Sequence, residues 1–377
     1  MIKSIQQLNK EEIQGKKVLV RVDFNVPVQD GKVVDDYRIV RALPTINFLK
    51  ENGAKILLIS HIEIKDVETP SLRPVFDYLS EKFSLSFIED CFGEEAVNRI
   101  SSLGDGEIIL FENIRRYEGE KKNDEVFGKQ LADLAEIYVN DAFAVSHREH
   151  ASVVGVPKYL PSYAGLLLSD EIAHLSIGEN TPHPFLFIIG GAKFDTKLPL
   201  IEKFLEKADK VFVGGALVND ILKAKGYEIG KSLVSETSVD LAYIISNPKV
   251  IIPVDVITES GVESQSKVIG AILKDDVIVD VGEETISLLE PEIAAAKYIL
   301  WNGPMGNYEK GFKEGTVALS KLIGGSKAES VVGGGDTLAS IKELNLMDEF
   351  TFISTGGGAM LDLLLNGTLP GIQALDK

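Results

Sequence analysis

Eight arginines, Arg21, Arg38, Arg41, Arg73, Arg99, Arg115, Arg116 and Arg148, all fall within the first 148 residues, and none follows. A guanidinium presents a planar fork that grips two oxygens of a phosphate or carboxylate, which a lysine ammonium cannot do. Lysines run through the whole chain. The distribution has two readings: the first half is equipped to hold an anion in fixed geometry, or the second half simply prefers lysine. The second half carries a different anion chemistry. Gly333-Gly334-Gly335-Asp336-Thr337 and Gly356-Gly357-Gly358 each stand between an apolar β-branched run and a helical pattern. Glycines at such a junction let backbone amides approach a phosphate closely. Asp336 adds a carboxylate able to take the magnesium of a nucleotide. Gly190-Gly191 precedes Lys193 and Lys197, which share one helical face at a spacing of four. Tight turns and surface lysines would explain each feature alone. The aspartate followed by a hydroxyl residue, and lysines directly behind a strand-end glycine pair, favour ligand contact.

Two other patterns carry no such chemistry. Residues 226–232, GYEIGKS, have three residues between the glycines, where a Walker A loop needs four, and follow a helical stretch instead of a strand. His147 and His150 lack the further ligands that zinc requires, in a chain with five histidines and one cysteine. No G-x-G-x-x-G occurs, which argues against a nicotinamide enzyme on a similar fold.

The elements that must position these residues alternate along the chain. Strand patterns fall at 18–26, 55–60, 85–89, 107–112 and 137–142, and then at 185–189, 210–213, 250–256, 277–281, 298–301, 330–332 and 351–354. Helical patterns lie between them at 38–51, 74–83, 124–135, 197–207, 239–245, 284–296 and 317–323. Strands this apolar are covered on both faces, so the alternation predicts an α/β protein with parallel sheets and right-handed crossovers. Pro157, Pro161, Pro182 and Pro184 mark a boundary region. We therefore expect two doubly wound parallel-sheet domains, 1–163 and 179–359, joined by a linking helix over 164–178. The remaining tail, 360–377, starts as an apolar helix, and Leu369-Pro370-Gly371 is expected to end regular structure. Ligands of doubly wound sheets bind beyond the C-terminal strand ends, and the polar and glycine clusters fall there in both halves.

Composition narrows the partners. The chain has 377 residues and a formal net charge of −18, which argues against a general nucleic-acid binder. No apolar run approaches the ~20 residues of a membrane span. The N-terminus lacks an apolar signal core, and the lone Cys91 fits a reducing, cytoplasmic setting.

Nine segments then carry a specific resemblance: RVDFNVP (21–27), DDYRIVRALPTI (35–46), FENIR (111–115), NDAFAVSHREHAS (140–152), GGAKFDTK (190–197), PVDV (253–256), WNGPMGNYE (301–309), GGGDT (333–337) and STGGGA (354–359). In order and spacing, over essentially the full length, they resemble the phosphoglycerate kinase family. The resemblance implies reversible phosphoryl transfer from 1,3-bisphosphoglycerate to Mg-ADP, giving 3-phosphoglycerate and Mg-ATP, by a monomer whose hinge closes. By matching position, Asp23, Asn25, Arg38, His61, Arg115 and Arg148 would contact the three-carbon acid. Gly191, Lys193, Lys197, Gly215, Asn302, Pro304, Glu309, Gly334, Gly335, Asp336 and Thr337 would line the nucleotide site, with Glu309 on the ribose and Asp336 near magnesium. Arg38 and Lys197 would neutralise the moving phosphoryl group, and the tail would pack on the N-terminal domain. A non-catalytic, nucleotide-binding relative is the alternative.

One stretch departs from the family pattern. Where the family usually reads S-H-L-G-R-P, this chain reads Ser60-His61-Ile62-Glu63-Ile64-Lys65. An arginine that normally helps hold the substrate phosphate is gone, and a glutamate has entered. Arg116 stands where phenylalanine is common. It either restores the lost charge or points to solvent beside Glu118 and Glu120, and Lys65 is a third candidate for the gap.

Overall fold

The structure is a computed structural model that describes residues 2–236, 240–261 and 263–376. The chain divides into two compact units, Met1–Ala173 with Asn366–Lys377, and His174–Leu365.

In the first unit six strands form one parallel sheet: β1 (Lys17–Arg21), β2 (Lys55–Ile59), β3 (Leu85–Ile88), β4 (Ile108–Phe111), β5 (Ile137–Asn140) and β6 (Ser162–Ala164), in the order β3-β4-β2-β1-β5-β6. Val18, Leu19 and Val20 of β1 are fully buried, as a strand covered on both faces requires. Register decides where the polar residues go. Arg21 at the end of β1 pairs with Ile59 of β2 and Asn140 of β5. The residues following these three strands therefore emerge along one edge.

The run predicted as a strand over 18–26 leaves the sheet after Arg21. Asp23 Oδ1 accepts from the Asn25 amide at 3.1 Å, an Asx turn that competes with the ladder. The helix Tyr37–Glu51 contains Pro44 and buries Ile39, Ala42, Ile46 and Leu49. The helix Leu166–Leu175 lies within the expected linking segment and runs from the first unit into the second. The tail does not lose regular structure at Leu369. Pro370, whose fixed φ suits a helix start, opens a short helix Pro370–Gln373. Leu369, Ile372 and Leu375 are buried, and the Gly371 amide donates to Ser146 O at 2.8 Å.

The second unit holds a second parallel sheet, β7 (Phe185–Ile189), β8 (Lys210–Val213), β9 (Val250–Ile251), β13 (Tyr298–Asn302), β14 (Glu329–Gly333) and β15 (Phe352–Ile353), in the order β9-β8-β7-β13-β14-β15. Here too the strand ends align, since Ile189 pairs with Val213 and with Asn302, and Asn302 pairs with Gly333. One expectation fails. The strand predicted over 250–256 is two strands in different sheets, separated by Pro253. Its second part begins β10 (Asp255–Ser260), which forms an antiparallel sheet with β11 (Glu263–Val268) and β12 (Val277–Val281). Asp255 fixes that break, because its Oδ1 accepts from the amide and hydroxyl of Thr285 at 2.7 and 2.6 Å. β12 accordingly does not join the parallel sheet. The helix expected over 239–245 is observed as Ala242–Ile245, and Val239 lies outside the described residues.

Candidate active site

The first unit gathers Arg21, Arg38, Arg115 and Arg148 at the C-terminal edge of its sheet. Arg21 is wholly buried at the end of β1. Its Nε donates to Ser152 Oγ at 2.9 Å, and its Nη2 lies 3.2 Å from His61 Nδ1. A guanidinium only donates, so His61 Nδ1 accepts and the neutral ring carries its proton on Nε2. Burial pushes the His61 pKa well below its ordinary value, and the surrounding charges of Arg21, Arg115, Arg148 and Arg38 push it further. His61 is therefore a neutral donor and not a fifth cation. Arg38 reaches Asp23 Oδ2 at 3.3 Å and donates to Asn25 O at 2.9 Å. Asn25 Oδ1 in turn accepts from the Glu63 amide at 2.8 Å. This chain of contacts joins the segments after β1 and β2.

Arg115 stands in the short 3-10 turn Ile114–Arg116 after β4. Its side chain is 5% exposed, and among the described residues no hydrogen bond satisfies its three guanidinium nitrogens. Burial and the like charges of Arg148 and Arg21 lower its pKa to about 10. Glu63 is its ion-pair partner. A cavity of 230 Å³ beside it is lined by Glu63, Asn113, Arg115, Arg116 and Lys121 among others. Arg116 does not turn toward Glu118 or Glu120. It lies 3.4 Å from the buried Glu112 and is 38% exposed. Glu118 instead pairs with Lys122, and Glu120 is sealed in the interior. Lys65 is not among the residues that line this cavity.

Asp23, Asn25, Arg38, His61, Arg115 and Arg148 thus share one region. Arg148 is half-buried, and its charge is felt by His61, Arg115 and His150. His150 borders the cationic region. Among the described residues no group of three metal-ligating side chains occurs. His150 is driven down to about 4, by burial first and then by Arg115, Arg148 and Arg21.

The second unit contains a cavity of 780 Å³ at its strand ends. Gly191, Lys193, Lys197, Gly215, Asn302, Pro304, Glu309, Gly334, Gly335 and Asp336 all line it. Thr337 does not. It is wholly buried behind Asp336 in the helix Gly335–Glu343, where it packs the turn from within. Lys197, on the helix Phe194–Lys207, donates Nζ to Gly190 O and is 9% exposed. Burial lowers its pKa to about 8, against the raising effect of the Asp336 carboxylate. Desolvation and then the neighbouring Glu309 raise the Asp336 pKa, while Lys197 lowers it. Two glycines make room for that ammonium. Gly191 and Gly303 have φ of +97° and +92°, and a Cβ on either would come within 2.8 and 2.9 Å of Lys197 Nζ. The other wall is apolar and includes Val256, Ile278, Val279 and Met305. A flat aromatic base and a string of phosphates match these two kinds of wall.

Sequence reasoning assigned no site role to Arg21, Ser152 or Glu120 in the first unit, or to Asp280 in the second. Glu120 accepts from Ser152 Oγ at 2.6 Å and from its amide at 2.9 Å. Asp280 lines the nucleotide-sized cavity, its Oδ2 accepting from Gly315 at 3.0 Å, and burial raises its pKa to about 7. The available signal was a charge inside an apolar run, as in KVLVR and VIVDV.

The phosphoglycerate kinase family model matches residues 7–367. The phosphoglycerate kinase of Dictyoglomus turgidum is 44% identical over 390 residues, covering 99% of this chain and 98% of that relative. That of Borrelia garinii subsp. bavariensis is 41% identical over 393 residues, covering both chains fully at 100%. Among solved structures, phosphoglycerate kinase from Coxiella burnetii superposes with a TM-score of 0.85 at 38% identity, covering 100% of this chain and 99% of its own. That from Pyrococcus horikoshii OT3 gives 0.86 at 31% identity, covering 100% and 98%.

Proposed function

Since this chain belongs to the phosphoglycerate kinase family, and so transfers a phosphoryl group to and from a carboxyl group of 3-phosphoglycerate, we propose how its residues divide that work. The single observation that carries the division is the 780 Å³ cavity, in which glycine turns from five parallel strand ends surround Lys197 and Asp336. It is the phosphate-accepting half of a nucleotide site. Val256, Ile278 and Met305 take the base, Glu309 the ribose, and Lys193, Lys197 and the amides around Gly334 and Gly335 the phosphates. Magnesium enters as part of the nucleotide substrate. One carboxylate, Asp336, suffices, because Mg²⁺ held by phosphate oxygens needs only one or two protein ligands.

The first unit holds the acid. Arg38 and Asn25 orient its carboxyl end, and Arg115, Arg148 and the Nε2 proton of neutral His61 hold its phosphate. Phosphoryl transfer asks chiefly for in-line placement and charge neutralisation, and the substrate carboxylate itself attacks or leaves. No side chain is needed as a general base. Lys197 neutralises the equatorial oxygens from the nucleotide side and Arg38 from the acid side. Excluding water at the moment of transfer prevents hydrolysis. The protein acts as a monomer in the cytoplasm. Among the described residues no helix is long and apolar enough to cross a membrane.

Coupled formation of ATP from 1,3-bisphosphoglycerate and Mg-ADP tests the reading. ADP binding without ATP formation would instead indicate a nucleotide-binding regulator.

A further inference from the structure

The carboxylate that entered after His61 is placed where it bears on the acid site itself. Glu63 follows the end of β2, and its amide is pinned by Asn25 Oδ1 at 2.8 Å. Its side chain is 52% exposed at the mouth of the 230 Å³ cavity and pairs with Arg115. Lys121 Nζ stands 4.0 Å from the same oxygen. Arg115 has no other ion-pair partner among the described residues, and none of its nitrogens makes a hydrogen bond. Its neighbours Arg21 and Arg148 repel it, which together with burial lowers its pKa. Glu120 and Asp23 offset part of that repulsion without reaching ion-pair distance, so a guanidinium this buried still calls for an anion beside it.

We propose that Glu63 is a resident counter-anion of the acid site, which occupies Arg115 when no ligand is bound and must yield it to the phosphate of the three-carbon acid. This rests on the reading that Arg115 is one of the phosphate-holding residues. The exchange is physically open. A carboxylate half in water reorients at little cost, whereas a phosphate dianion brings more charge and three acceptor oxygens to a cluster of cations. The consequence is a specificity-setting competition. Every phosphorylated ligand must displace the Glu63 carboxylate, so Glu63 holds affinity for the acid below what the arginines alone would give. Nucleotide binding, which belongs to the other unit, is untouched.

The test is calorimetric titration of the full chain with 3-phosphoglycerate, and separately with ADP, for wild type, Glu63→Gln, Arg115→Lys and the double variant. Glutamine keeps the size and the backbone contact and removes the charge. The expected result for Glu63→Gln is a dissociation constant for 3-phosphoglycerate lowered roughly five- to tenfold, between the effect of an exposed ion pair and that of a charged hydrogen bond. The ADP constant stays as in wild type, the melting temperature of the ligand-free protein falls slightly because Arg115 loses its partner, and the gain shrinks in the Arg115→Lys background. An unchanged or weaker affinity in Glu63→Gln, with Arg115→Lys weakening binding, overturns the competition and leaves the site reading standing. An Arg115→Lys protein that melts normally and binds 3-phosphoglycerate like wild type overturns both. A melting temperature that stays lowered in Glu63→Gln even with saturating 3-phosphoglycerate also overturns the proposal, since it makes Glu63 a structural residue.

Discussion

At the scale of single residues, the site is governed by what burial does to charge. Lys197 keeps its proton below pH about 8 and loses it above. Its ammonium is therefore present at neutral pH but not far into the alkaline range. The kcat/KM for ADP, which reports the free enzyme, should fall as pH rises through about 8. An unchanged profile up to pH 9.5 would contradict the assignment. Lys197→Ala should reduce kcat by roughly a hundred- to thousandfold, the cost of removing one transition-state charge contact, while ADP affinity changes much less. Steady-state kinetics beside ADP titration separates the two. Arg116 is a smaller matter, because its carboxylate partner is Glu112 and it is partly in solvent. Arg116→Phe should shift the 3-phosphoglycerate constant by less than about threefold, an exposed pair being of low worth. A tenfold loss would show that it replaces the arginine absent after His61.

At the scale of elements, the acid site depends on a polar joint under its floor. Ser152, in the helical turn Ala151–Gly155, donates its hydroxyl to Glu120 and accepts from Arg21. It thereby ties that turn to the end of β1 and to the short helix Glu118–Lys121. Arg21 and Glu120 are wholly buried, so the hydroxyl stands between two charges that water cannot reach. Ser152→Ala leaves both short of a partner and should cost about 2–4 kcal/mol of stability. Denaturant melts of the variant measure it, and a loss below about 1 kcal/mol would mean that water or a side-chain shift fills the gap. The same joint explains why Arg21 is invisible as a site residue in sequence. It supports His61 from behind and lies within a β-branched run that otherwise reads only as strand.

At the scale of the whole molecule, the last residues belong to the first unit although the second unit precedes them in the chain. Leu369, Ile372 and Leu375 are buried there, and a Cβ on Gly371 would lie 2.7 Å from Val153. Deleting the chain after Gly367 removes this apolar cover. At ~1.5–3 kcal/mol for each buried leucine or isoleucine, the loss should be at least about 4 kcal/mol. A truncated protein should melt several degrees lower and turn over more slowly. Equal melting temperature and turnover would show the tail to be dispensable.

The sequence by itself determined the α/β class, the position of nearly every parallel strand and the clusters at their ends. These depend on local patterning and on glycine, whose conformational freedom is a property of the residue. It also marked the arginine-rich and glycine-rich halves, because residue type alone restricts which anion chemistry is possible. Tertiary structure decided the rest. Residues 250–256 read as one apolar strand, but the Asp255 carboxylate takes Thr285 from a distant helix and turns the chain into an antiparallel sheet. Asp280, within VIVDV, becomes a cavity residue only because that sheet brings it beside Gly306 and Gly315. Thr337 is expected beside Asp336 at the ligand, and the structure buries it in the helix that opens at Gly335, outside the cavity lining. Glu63 and Arg115 are 52 positions apart, and neither residue type says which anion the guanidinium meets. The charge of a side chain is written in the sequence. Its partner, and therefore its solvation and its pKa, is fixed by strand register and burial, which depend on residues far along the chain.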